Sequence, residues 1–164
     1  MSKAQTRKVG DEQEPAFQRL GIFVGKWKMQ GDQYATDFGP AAKVIGTQNY
    51  EWLPGGKFLI HRLEGSLGDN EMACIELICH DAAGETFAMD TYYNNGMKRT
   101  WNLHEQHPGN WLITGDWPHK DYSVKVRCTI NFSDDGRSNT AKWESQKDDS
   151  TWEMFWDLKA VKAG

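Results

Sequence analysis

From Gly25 to its end the chain reads as one strand-length segment after another, each closed by turn chemistry. No stretch between Lys43 and Val161 keeps a helical apolar period long enough for a substantial helix. About ten antiparallel strands in one meander must hide their two edges, and closure into a barrel removes both. Barrels of this size commonly enclose a small molecule, so the chain reads as a container.

The segments run Gly25 to Tyr34, Ala42 to Leu53, Lys57 to Ser66, Glu71 to His80 and Glu85 to Tyr93. Met97 to Gln106, Trp111 to Gly115, Tyr122 to Phe132, Asn139 to Gln146 and Thr151 to Val161 follow. Pro54-Gly55-Gly56, Gly68-Asp69-Asn70, Asp81-Ala82-Ala83-Gly84, Asn94-Asn95-Gly96 and Ser133-Asp134-Asp135-Gly136 separate them. Gly and Asn tolerate the positive φ that tight hairpins require. Ahead of the strands, Pro15 opens a short piece with Phe17, Leu20, Ile22 and Phe23 at helical spacing. It is read as one or two helical turns over Pro15 to Gly21, placed to plug one end of the barrel. Residues 1–14 are polar and of mixed charge and are expected to be a flexible leader, with 15–164 as one barrel domain.

Alternation assigns faces. Tyr122, Val124, Val126, Cys128, Ile130 and Phe132 form an apolar set of period two, against Ser123, Lys125, Arg127, Thr129 and Asn131. Trp111 shares a face with Ile113, and Ala141 with Trp143. Trp152, Met154, Trp156 and Leu158 form one set in the last strand. Other strands carry chemistry among their apolar groups. In Glu71 to His80 one face holds Met72, Cys74, Glu76, Ile78 and His80; in Met97 to Gln106, Arg99 lies on the face of Trp101 and Leu103. Asp90 shares a face with Ala88 and Tyr92, and it sits across the Asn94-Asn95-Gly96 turn from Arg99. A buried charge is costly unless paired or hydrated, so these groups mark either a wet cavity wall or a surface ion pair.

Charge and cysteine content narrow the function classes. A formal net charge of -4 lacks the basic stripe of a nucleic-acid surface. There is no apolar run long enough for a membrane helix and no apolar signal segment, so a cytoplasmic protein is expected. Cys74 and Cys79 lie five residues apart on one strand, roughly 16 Å at ~3.3 Å per residue, too far to bridge. Three cysteines without paired spacing read as free thiols. Eight tryptophans stand against 38% apolar residues overall, so large flat side chains carry the core.

Gly25-Lys26-Trp27, opening the first strand after a short helix, resembles the Gly-x-Trp mark of lipocalin and calycin barrels. That resemblance implies a structural Trp27 packed at the closed end under a basic side chain, Lys159 or Lys162. A second resemblance covers roughly Phe17 to Lys159. The run Tyr50-Glu51-Trp52-Leu53-Pro54-Gly55-Gly56-Lys57-Phe58-Leu59-Ile60-His61-Arg62, Asn95-Gly96, Asp134-Asp135-Gly136, Trp143-Glu144 and the Asp148-to-Trp152 approach carry it. They resemble a mainly bacterial lipocalin-like family known only as a domain of unknown function. The fold implied is all-β, an antiparallel calycin-like barrel of about eight to ten strands with a short N-terminal helix. The nitrobindin group, ten-stranded barrels that bind haem, is a relative of known chemistry. Its haem-ligating histidine close to the C-terminus has no counterpart here, where the last histidine is His119, so no cofactor is expected.

No Gly-x-Ser-x-Gly elbow, phosphate loop or paired strand histidines occur, which removes hydrolytic triads, nucleotide cradles and zinc clusters as leading readings. His107 and His119 adjoin prolines in turns and are expected to be exposed. A small hydrophobic or aromatic ligand is the expected partner, held by stacking on Trp52, Trp101, Trp111, Trp143, Trp156 and Tyr92. Its polar group would be oriented by Arg99, His61 or Glu76, with His80 and Asp90 among the other expected ligand-binding residues. Glu76 with His80, and Asp90 with Arg99, are the pairs expected to support acid–base chemistry if the barrel is instead a cofactor-free isomerase, cyclase or lyase. A barrel filled by its own side chains is the third possibility. Barrels with an exposed edge often pair, so a homodimer is expected.

Overall fold

Strands form where the alternation places them. The computed structural model describes residues 15–81, 85–118, 121–149 and 151–164. The expected leader, the turn residues 82–84 and His119 lie outside the described residues.

Ten strands are present: β1 (Gly25–Gln33), β2 (Ala42–Trp52), β3 (Leu59–Leu67), β4 (Asn70–Asp81) and β5 (Thr86–Tyr93), then β6 (Lys98–His107), β7 (Asn110–Pro118), β8 (Ser123–Phe132), β9 (Ser138–Gln146) and β10 (Glu153–Lys162). Each pairs antiparallel with its sequence neighbours, and β1 pairs with β10 to close the ring. Among the described residues the closed ring leaves no unpaired strand edge.

Pro15 starts helix α1 (Pro15–Arg19), which tightens into a 3-10 turn, Leu20–Phe23. Phe17, Leu20 and Phe23 are buried and plug one end of the barrel. Phe17 meets Trp52, His80 and Phe87 edge-on, and Phe23 meets Tyr50, Trp111 and Phe132. Trp27 is 1% exposed beside this plug, and its indole N–H donates to the Phe23 carbonyl at 2.8 Å. The Lys162 ammonium lies 5.0 Å above its ring. Of the two lysines expected there, Lys162 fills the place.

Two strands depart from simple alternation. β7 runs through Gly115 to Pro118, because Gly115 sits inside the strand where a bulky Trp101 ring crosses it and Pro118 occupies only the strand end. In β10 a bulge between Met154 and Trp156 breaks period two. Phe155 and Trp156 therefore both reach the interior, and Trp152 lies outside the expected set, stacked under the Arg127 guanidinium at 4.1 Å.

Candidate functional site

The barrel interior holds a cavity of about 240 Å³. An apolar cavity of ~150 Å³ takes a benzene ring, so this one has room for a somewhat larger molecule. Its wall is aromatic towards the end opposite the helix. Trp101 and Trp143 meet at 73°, Trp143 and Trp156 at 78°, and Trp101 lies 6.1 Å from Trp117. Phe38, from the segment joining β1 and β2, stacks on Phe155 at 4.3 Å and closes over that end.

One row of polar side chains crosses the opposite wall. Strand register places Tyr50 opposite His61, His61 opposite Glu76, Glu76 opposite Thr91 and Thr91 opposite Arg99. Directly opposed residues of an antiparallel pair bring their Cβ atoms to about 5 Å. The Tyr50 and His61 rings stack at 4.0 Å and 2°. His61 Nδ1 lies 2.6 Å from Glu76 Oε2, and the Thr91 hydroxyl donates to Glu76 Oε1 at 3.0 Å. An ionised carboxylate only accepts, which assigns the proton of a neutral His61 to Nδ1. Nε2 is then an acceptor, and it is buried without a hydrogen-bonding partner.

The acids around this row stay protonated. Burial, followed by the Glu76 charge, pushes the Tyr50 and Tyr93 hydroxyls and the Cys74 and Cys128 thiols well above their ordinary values. Cys74, Cys79 and Cys128 are free thiols. Among the described residues no three His, Cys, Asp or Glu side chains gather as a metal-ligand group.

The structure divides the expected site residues. His61, Glu76, Trp101, Trp143 and Trp156 line the cavity. Trp52 and His80 instead pack around Phe17 in the plug, and Trp111 is fully buried against Phe23 and Phe87. Glu76 pairs with His61 and not with His80. Four residues along a strand span about 13 Å, whereas a cross-strand neighbour is in contact. Asp90 and Tyr92 face outward, where Asp90 accepts from the Thr100 hydroxyl at 2.6 Å and Tyr92 lies under the Lys98 ammonium. Asp90 and Arg99 do not pair: register sets Asp90 opposite Thr100, and a one-residue offset puts the two on opposite faces. Arg99 turns to the rim, stacking on Trp117 at 4.9 Å and donating to the Lys98 carbonyl.

Sequence reasoning missed Tyr50, Thr91, Tyr93 and Trp117. Tyr50 and Thr91 enter only through register, and Trp117 follows a glycine read as a strand end. Register itself was accessible. Counting five positions back from Ser66 and forward from Glu71 across their turn brings His61 to Glu76.

Among the described residues no helix is long and apolar enough to cross a membrane. No curated protein matches the chain. The crystal structure of Rv2717c from M. tuberculosis is similar in fold, with a TM-score of 0.68 at 8% identity over 93% of this chain and 100% of that one. The S-type phycobiliprotein lyase CPES from Guillardia theta follows at 0.55 and 12% identity, over 90% of each chain. Such identities establish the barrel alone. Sequence carries the membership: residues 12–161 match the family described as protein of unknown function (DUF1579), and the chain belongs to it.

Proposed function

We propose that the barrel binds one small, flat, mainly apolar molecule. The observation that carries this reading is an aromatic-walled cavity of about 240 Å³ with a single polar row on one side. Apolar burial supplies affinity, and a few placed polar groups supply orientation. Glu76 and His61 take the orienting role. A lyase among the structural neighbours supports a barrel that holds a ligand. The free thiols fit a reducing compartment, so a cytoplasmic location is part of the proposal.

The 2.6 Å contact between His61 and Glu76 favours a second reading, in which the pair exchanges protons with the bound molecule. Glu76→Gln separates the two: in a binding protein it weakens the hold on the ligand that Glu76 orients, whereas in an enzyme it abolishes turnover while the fold survives.

Native mass spectrometry of gently purified protein tests the first reading. A stable extra mass, lost on denaturation, is the expected result. A bare mass, with tryptophan emission that ignores added small aromatic compounds, would overturn it.

A further inference from the structure

The charge inside the barrel is one-sided. Glu76 is the one carboxylate on the cavity wall among the described residues, and no Lys or Arg joins it there. It keeps 13% of its side chain accessible, and that side chain faces inward. Its two hydrogen-bonding partners are the Thr91 hydroxyl, which donates, and His61 Nδ1. The other acids that face it, Tyr50, Cys74, Tyr93 and Cys128, are held protonated, and for each the Glu76 charge is the second cause after burial. Arg99, opposite Thr91 on the inward face, turns its guanidinium to Trp117, the Met97 sulfur and the Lys98 carbonyl at the rim, where its charge also reaches Tyr93. On the cavity wall itself, a carboxylate with no lysine or arginine beside it favours a cationic partner.

The rest of the wall suits the same partner. Trp101, Trp143 and Trp156 stand at near right angles to their neighbours and form the corner of a box. Indole faces and edges give a flat apolar body surfaces to stack against. Resting on the binding reading above, we propose that the molecule held in the barrel is an organic amine. Its ammonium group pairs with Glu76, and its apolar body lies against these tryptophans. A carboxylic acid or phosphate ester is disfavoured by the same charge.

Phenethylamine and phenethyl alcohol share shape and differ in charge at neutral pH. Calorimetric titration of the full chain with both probes tests the proposal. The expected result is tighter binding of the amine by about tenfold or more, with that preference lost in Glu76→Gln. Equal binding of amine and alcohol by the unaltered protein would overturn the proposal and leave the cavity reading standing. Binding of neither probe would remove both. The comparison in the unaltered protein decides the matter even if the variant fails to fold.

Discussion

His61 and Glu76 stand directly opposite one another on β3 and β4, with Nδ1 2.6 Å from Oε2 and both side chains turned into the barrel. Thr91, the next residue in the same cross-strand row, closes the other carboxylate oxygen at 3.0 Å and is itself fully buried. The interior thus holds an anion whose stability depends on two donors supplied by strand register.

That dependence is measurable. Thr91→Val keeps the shape and removes one donor, so it is expected to cost about 2 kcal/mol, the scale of a hydrogen bond to a charged group. In a Glu76→Gln background the same change meets a neutral acceptor and is expected to cost about 1 kcal/mol. Urea unfolding of the four proteins gives the coupling as a double-mutant cycle. Equal costs in both backgrounds would mean that Glu76 carries no charge in the fold.

The buried acids set an alkaline limit. The pKa values of Tyr50, Tyr93, Cys74 and Cys128 are raised in the folded chain, chiefly by burial and then by the Glu76 charge. Below about pH 9 both folded and unfolded forms are protonated, and these groups add no pH dependence. Above the ordinary values of 9.0 for the thiols and 10.0 for the phenols, the unfolded chain loses protons first. Stability is therefore expected to fall as pH rises, by up to about 1.4 kcal/mol per pH unit for each group. Unfolding midpoints between pH 8 and 11 measure this fall, which Tyr93→Phe is expected to lessen.

Strand existence was legible because period two and turn chemistry are local. Tyr122 to Phe132 declares its faces in eleven consecutive residues, and β8 follows them. Partnership is not local. Glu76 and His80 are close in sequence and share a face, yet the imidazole that reaches the carboxylate comes from the neighbouring strand. The β10 bulge is the harder case. Phe155 reads as an outward residue in strict alternation, and only pairing against β9 shows that two opposed positions share one gap. Gly115 and Pro118 were misleading in a third way: residues that usually end a strand here let an aromatic ring lie across it.

Gly115 is consequently a control on the cavity wall. A Cβ built there would lie 2.6 Å from Trp101 Cε3, and a ring edge has little room to give. Gly115→Ala is expected to destabilise the fold by about 1–3 kcal/mol through overpacking. It also pushes Trp101 towards the cavity, so a shifted emission spectrum and weaker binding of the cavity ligand should accompany it. An alanine variant with unchanged emission and affinity would show that Trp101 moves away from the cavity instead.

Entry of the proposed ligand requires an opening at one end of the barrel. The helical plug closes one end with Phe17, Leu20 and Phe23. The other end is covered by residues 34–41, pinned at several points. Gln33 donates to the Pro40 carbonyl and accepts from the Trp156 indole at 2.6 Å, Thr36 and Gly39 bridge, and the Tyr122 hydroxyl donates to Asp37. Phe38 is the part that reaches inside, flat on Phe155 and edge-on to Trp117. Phe38→Ala removes the cover and leaves the pins. Ligand release measured by stopped-flow tryptophan emission is expected to quicken by about tenfold, equivalent to ~1.4 kcal/mol off the exit barrier. The unfolding midpoint should move little, because this ring caps the core and does not fill its centre. Release at an unchanged rate would place the exit elsewhere and make Phe38 a packing residue only.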